Sequence, residues 1–151
     1  MSAEVVRLQQ QQDFRFEIDF GGGKPPLLAD EPPPLGAGAG PSPTQLLAAA
    51  VGNCLSASLL FALRKFKQHP EPLRAVVEPE VGRNAEGRLR VLSMKVVLTL
   101  GVPAAQLEHL DRALASFEAY CTVTQSVSAA FPVQVQVYDS LGVRLHGADA
   151  A

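Results

Sequence analysis

A long segment near the middle of the chain limits what the chain can fold into. No charged residue occurs between Glu31 and Arg64, and the part from Leu46 to Leu63 is mostly apolar. This part approaches the ~20 residues that a membrane span requires, although Gly52 and several polar residues interrupt it. A helix that is apolar nearly all round can equally be the central helix of a protein core. We expect the strand-like segments on either side to share one sheet, which a membrane would separate. We therefore predict a soluble core helix and no membrane partner.

The ends of this helix carry start and stop signals. Ser42 fits the N-cap, Pro43 fits the first helical position, and Gln45 fits the reciprocal partner of a capping box. Lys67 and the basic residues just before it suit the C-terminal end of the helix dipole. Pro70 cannot continue a helix. The sequence therefore predicts one long helix between these signals.

Period-two alternation of apolar and polar residues predicts strands before and after the helix. The predicted strands are Phe14–Phe20, a short edge strand at Leu27–Leu28, Leu73–Val81, Leu92–Leu100 and Val133–Val137. Pro79 indicates an edge strand or a bulge, and Asn84–Gly87 is typical of a turn. We expect the residues after Gly142 to be loose.

Two further helices are predicted between the last two strands. The first begins at Pro103, presents Leu107, Leu110, Leu114 and Phe117 as an apolar stripe, and ends near Tyr120. The second follows a possible capping box at Thr122–Gln125 and ends near Ala130. The element order shows no regular βαβ alternation, so we predict an α+β fold with a mainly antiparallel sheet around the central helix. A chain of 151 residues fits a single domain, residues 1–151.

Composition excludes several functional classes. The formal net charge is −2, and aromatic residues make up only 6% of the chain, so neither electrostatics nor base stacking favours nucleic acid as a partner. The histidines His69, His109 and His146 lack metal-ligand spacing, which argues against a zinc site. Residues 36–41, GAGAGP, lack the dinucleotide fingerprint and are typical of a flexible turn. The first twenty residues have no signal-peptide pattern. We therefore predict no metal, no bound cofactor and a cytoplasmic location.

The two cysteines are the candidates for chemistry. Cys54 falls inside the predicted long helix, on or near its apolar face. It can be a small buried hydrophobic residue, and a chemical role would need a cationic or hydrogen-bonding partner, because the thiolate is the reactive form. Cys121 follows Tyr120 and precedes a predicted helix start, where backbone N–H groups favour an anion. Position alone therefore predicts Cys121 to be the more acidic thiol, although packing would also account for a cysteine there.

Three segments resemble the OsmC/Ohr family, the osmotically inducible proteins and organic hydroperoxide resistance proteins. Residues 41–54, PSPTQLLAAAVGNC, resemble the family's "(N/S)PE-(Q/L)-L…A-A…C" helix. Residues 120–127, YCTVTQSV, resemble its "YCPVS" segment, and residues 28–36, LADEPPPLG, resemble its "DEP…GG" segment. The order and spacing of all three match over roughly residues 14–137.

The resemblance implies an OsmC-like α+β fold, an intertwined homodimer and a thiol peroxidase that acts on organic or inorganic hydroperoxides. Cys54 would attack the peroxide and become a sulfenic acid, and Cys121 would condense with it to a disulfide. An external dithiol, often lipoyl-linked in the Ohr branch, would then reduce that disulfide. The implied partners are thus a hydroperoxide, a dithiol and a second copy of the chain.

The sequence departs from the family pattern near both cysteines. Thr44 stands ten residues before Cys54, where the family has a glutamate that orients an active-site arginine. The N-terminal region offers Arg7 and Arg15, of which Arg15 is the candidate for that arginine, although it would equally fit a surface arginine beside Glu17 and Asp19. Thr122 replaces the proline that follows the second cysteine. These departures are typical of a divergent OsmC-like member. The alternative function is a noncatalytic module with an apolar small-molecule pocket around Cys54.

Overall fold

The computed structural model describes residues 4–149. The chain forms two compact units, one extending to Leu47 and the other beginning at Ala48. The described residues contain two sheets, one long α-helix and two short α-helices, which is a mixed α+β fold as predicted. The prediction of a single domain stays a prediction.

The first unit contains a three-stranded antiparallel sheet. Its strands are β1 (Arg7–Gln12), β2 (Arg15–Asp19) and β3 (Leu27–Ala29), arranged in the order β1-β2-β3. The predicted strands at β2 and β3 are confirmed, and Ile18 of β2 is buried. β1 was not predicted, because all six of its side chains are exposed and its glutamine run shows no alternation.

A buried carboxylate organises the loop after β3. Asp30 accepts hydrogen bonds from the backbone N–H groups of Ala39 at 3.0 Å, Ala37 at 3.2 Å and Glu31 at 2.9 Å. These donors, the Ala39 N–H first among them, lower the pKa of Asp30 against the effect of burial, and the charge of Arg15 adds to the lowering. The glycine-rich segment predicted as a flexible turn is therefore held by a defined set of hydrogen bonds.

The long helix, α1 (Pro43–Lys65), has the predicted start. The Ser42 N–H donates to Gln45 Oε1 at 3.0 Å, and the Gln45 N–H donates to Ser42 Oγ at 3.2 Å, which completes the capping box. The buried side chains recur at helical spacing, at Val51, Leu55 and Leu59 among others. By length and composition α1 is also apolar enough to cross a membrane, with a mean hydropathy of 2.0 over its most apolar window. The absence of a membrane partner stays a prediction.

The second unit contains a four-stranded mixed sheet. Its strands are β4 (Arg74–Arg83), β5 (Leu89–Thr99), β6 (Val133–Tyr138) and β7 (Arg144–His146), in the order β4-β5-β6-β7. β5 and β6 pair in parallel, which is possible because a long helical connection separates them. The pairs β4–β5 and β6–β7 are antiparallel, in agreement with the predicted mainly antiparallel sheet. Pro79 lies on edge strand β4 next to a bulge at Glu80/Val81, as predicted.

Two expectations about the sheets were wrong. The strands that flank α1, β3 and β4, belong to different sheets and not to one. The segment after Gly142 is not loose at residues 144–146, because β7 pairs with β6 there, and residues 150 and 151 lie outside the described part of the chain. Alternation could not identify β7, since the strand has only three residues.

The core of the second unit lies between α1 and one face of the mixed sheet. A Cβ atom added at Gly52 would come within 2.7 Å of Val77 Cγ2, so α1 approaches β4 very closely at this glycine. Val77 is paired with Val96 of β5, which is paired in turn with Val135 of β6. Val96 and Val135 are both buried. The apolar face of the sheet thus supports the part of the helix that carries Cys54.

The connection between β5 and β6 contains shorter helical elements than predicted. It consists of a 3₁₀ turn at Ala104–Gln106, α2 (Leu110–Ser116), a second 3₁₀ turn at Phe117–Tyr120 and α3 (Thr122–Val127). A single helix from Pro103 is excluded, since Leu107 is extended and His109 adopts the left-handed conformation with φ 56°. The Thr122–Gln125 capping box does not form either, because Thr122 is already helical and Cys121 occupies the cap position.

Candidate functional site

Cys54 lies in the middle of α1 as a free thiol and is partly exposed. Its neighbours Val51 and Leu55 are fully buried. Cys54 therefore lies beside the buried stripe of the helix and retains access from one side. Ser58 follows four residues later and is on the same side of the helix.

Cys121 lies at the junction between the second 3₁₀ turn and α3, also as a free thiol. Its side chain is fully buried, with 0% exposure. The thiol donates a hydrogen bond to Thr124 Oγ1 at 3.0 Å, and Thr124 is itself only 3% exposed. The second cysteine is therefore held by a polar partner within an otherwise closed environment.

The structure brings the two cysteines together. Burial raises the pKa of Cys121, and the neighbouring Cys54 side chain raises it further, while the hydroxyl and backbone N–H groups of Thr124 lower it. The prediction that position makes Cys121 an acidic thiol is therefore wrong. The helix that follows Cys121 has only six residues, and the loss of hydration outweighs the influence of its N-terminus.

A hydrogen bond connects the two cysteine-bearing segments. Ser58 Oγ, four residues after Cys54, donates to the carbonyl oxygen of Phe117, four residues before Cys121, at 2.5 Å. The Cys121 N–H in turn donates to the Glu118 carbonyl at 3.1 Å. We call this hydrogen bond between Ser58 and Phe117 the tether.

The C-terminal strand adds a second contact to the segment that carries Cys121. His146 Nε2 lies 2.6 Å from Glu118 Oε2, and the His146 ring meets the Phe117 ring edge-on with centroids 5.3 Å apart. Sequence reasoning missed this contact, because His146 was assigned to a loose tail.

The other predicted site residues lie in the first unit or at its boundary. Arg15 is on β2, where its charge contributes to the low pKa of Asp30. Arg15 Nε is buried and has no hydrogen-bond partner within residues 4–149. Thr44 is in the first turn of α1. The role of Arg15 as the active-site arginine stays a prediction.

An apolar cavity lies one helical turn from Cys54. It has a volume of about 180 Å³, and its lining includes Ser58, Phe61 and Lys65 of α1 together with Ser116 and Tyr120. Cys54 is not among the lining residues.

Within residues 4–149, no group of three His, Cys, Asp or Glu side chains is placed to hold a metal ion.

Comparison with solved structures shows the same fold in several proteins. An OsmC-like protein of unknown function from Vibrio cholerae has a TM-score of 0.76 at 18% identity, over 91% of this chain and 99% of that one. An organic hydroperoxide resistance protein from Elizabethkingia anophelis has a TM-score of 0.72 at 13% identity, over 93% and 98%. One from Legionella pneumophila has a TM-score of 0.67 at 16% identity, over 93% and 98%.

Sequence comparison identifies the family. No curated protein sequence matches the chain. The family described as OsmC-like protein matches residues 36–136, which contain both cysteines and the tether. The predicted resemblance is therefore confirmed, and the chain belongs to the OsmC-like protein family.

Proposed function

We propose that the protein is a thiol-dependent peroxidase that reduces organic hydroperoxides through Cys54 and Cys121. The observation that carries this proposal is the pairing of a partly exposed thiol with a buried one beside it. An exposed thiol can meet a peroxide from solution, whereas the buried thiol reacts with its neighbour. Two of the structural neighbours are named as organic hydroperoxide resistance proteins, which agrees with this chemistry.

The oxidative half of the reaction requires two steps. The Cys54 thiolate attacks the terminal, hydroxyl oxygen of the hydroperoxide, the O–O bond breaks, and Cys54 becomes a sulfenic acid. The released alkoxide takes a proton from water and leaves as the alcohol. The Cys121 sulfur then attacks the Cys54 sulfur, and water leaves as the disulfide forms. The tether from Ser58 to Phe117 supports the second step by holding the two segments in register.

The reductive half requires an external dithiol, for which we propose a lipoyl-type group in the cytoplasm. Such a molecule supplies two thiols from one carrier, so it can open the disulfide and then release itself as a cyclic disulfide. No resident cofactor enters this scheme. Inorganic peroxide is a second possible oxidant for the same thiol.

The proposal is tested by peroxide consumption. The reduced protein should consume cumene hydroperoxide in the presence of dihydrolipoamide, and Cys54→Ser should abolish the activity. Cys121→Ser is the matched control: it should still react once, and dimedone should then label a sulfenic acid at Cys54. Equal turnover by Cys54→Ser and the parent would exclude Cys54 as the nucleophile.

A noncatalytic small-molecule module is the alternative, and the cavity beside Ser58 is the observation that favours it. The cavity lies beyond Cys54 and not around it. An inactive parent protein that still binds apolar ligands would support this alternative over peroxide reduction.

We further propose that the chain works as a homodimer. Several large apolar side chains of the second unit are exposed, including Phe61 at 70%, Tyr120 at 76%, Leu89 and Val76. A second copy of the chain would cover such surface. Light scattering at micromolar concentration should give about twice the chain mass of 16.0 kDa, and a monomer would contradict the proposal.

A further inference from the structure

The opening of a Cys54–Cys121 disulfide by a thiol must leave negative charge on one of the two sulfurs. Cys54 is partly exposed, whereas Cys121 has no exposed surface. An incoming thiolate therefore reaches the Cys54 sulfur, and Cys121 becomes the leaving group. The developing negative charge therefore falls on a fully buried sulfur, where the loss of hydration disfavours it.

Thr124 is the residue that offsets this difficulty. Its hydroxyl oxygen lies 3.0 Å from Cys121 Sγ, and within residues 4–149 the hydroxyl has no other hydrogen-bond partner. A hydroxyl group can accept from a thiol and can rotate to donate to a thiolate. Because Thr124 is β-branched and buried in α3, its side chain is already held in position for either role.

We propose that Thr124 is a positioning residue for regeneration: it donates a hydrogen bond to the Cys121 thiolate while a dithiol attacks the Cys54 sulfur. This inference rests on the two-cysteine chemistry proposed above. It assigns the direction of attack as well as the residue that makes this direction favourable.

The step is a thiol–disulfide exchange with a dithiol as the reductant. A thiolate of the dithiol forms a bond to Cys54 Sγ, the Cys54–Cys121 bond breaks, and its electron pair remains on Cys121 Sγ. The second thiol of the reductant passes its proton to Cys121 and then attacks the reductant sulfur that is bonded to Cys54, which closes the reductant into a cyclic disulfide. Cys54 then leaves as a thiolate, so two electrons move from the dithiol to the protein.

The inference is tested on the rate of disulfide reduction. Diamide oxidises the purified protein without any peroxide, and stopped-flow mixing with dithiothreitol then gives the reduction rate. Thr124→Val keeps the shape of the side chain but removes the hydroxyl, so reduction should become about three- to tenfold slower. Thr124→Ser retains the hydroxyl and should stay within about twofold of the parent. Thermal melts identify any variant that has lost its fold, and Thr124→Ala then replaces Thr124→Val.

A second measurement separates charge stabilisation from a purely structural role. In a Cys54→Ser background, the pH dependence of alkylation by iodoacetamide, followed by mass spectrometry, reports the ionisation of Cys121 alone. Thr124→Val should lower the thiolate fraction at a given pH by about tenfold or more, and Thr124→Ser should not. Equal ionisation in both variants, or equal reduction rates, would overturn the inference.

These outcomes are separate from those of the peroxidase test. A slow Thr124→Val protein supports the inference even if the parent consumes no peroxide, since diamide supplies the oxidation. An active peroxidase in which Thr124→Val is reduced at the parent rate overturns the inference alone. Failure of diamide to form the Cys54–Cys121 disulfide overturns it as well.

Discussion

Removal of the tether hydroxyl in Ser58→Ala should weaken both the fold and the second oxidation step. The substitution leaves the Phe117 carbonyl without its partner in a partly buried position. A lost hydrogen bond of this kind costs about 1–2 kcal/mol, which corresponds to a Tm that is lower by about 2–8 °C for a chain of this size. The segment that carries Cys121 should then be held less firmly beside Cys54.

The chain offers a matched control in Ser56→Ala. Ser56 Oγ donates to the Gly52 carbonyl within α1, so this substitution removes a serine hydroxyl from the same helix without touching the tether. Each variant is titrated with cumene hydroperoxide, and mass spectrometry gives the ratio of disulfide to overoxidised Cys54. Overoxidation should increase in Ser58→Ala only. If both variants melt and overoxidise alike, the tether has no role in positioning Cys121.

Two further predictions concern packing and pH. Gly52→Ala places a Cβ 2.7 Å from Val77 Cγ2, so it should destabilise the fold by about 1–3 kcal/mol in urea unfolding. Val77→Ala should restore much of this loss in the double variant. Additive losses of stability from the two substitutions would contradict the close packing. Asp139 is buried, and the Ala104 N–H, followed by those of Val143 and Leu141, lowers its pKa. The stabilising effect of the Asp139 carboxylate is therefore present above the unfolded-state pKa of about 3.9 and is lost as the pH falls through the lower folded value. Asp139→Asn should therefore flatten the decrease in Tm between about pH 5 and about pH 2. An unchanged decrease would refute this assignment.

The sequence was sufficient to predict the elements that have a strong local signal. The capping box at Ser42, the alternation in β5 and the edge position of Pro79 each depend on neighbouring residues, and each is confirmed. The wrong predictions concern features that depend on contacts between residues far apart in the sequence. β7 exists because β6 is available to pair with it.

The same distinction applies to the candidate site. The sequence pattern made both cysteines the candidates for chemistry, but position alone predicted the wrong direction for the pKa shift of Cys121. Local position suggested an N-terminal helix effect, whereas tertiary burial and the nearby Cys54 determine the direction of its pKa shift. The tether has no sequence signature, because Ser58 and Phe117 are 59 positions apart.

The two edges of the mixed sheet have a consequence for the behaviour of the chain at high concentration. Exposed sheet edges are templates for the addition of further strands. On β4, Pro79 lacks an N–H group and the bulge at Glu80/Val81 interrupts the regular spacing. On the opposite side, β7 ends after three residues. Neither edge presents a long regular row of donors and acceptors, so this sheet resists growth into fibrils through the addition of strands at its edges.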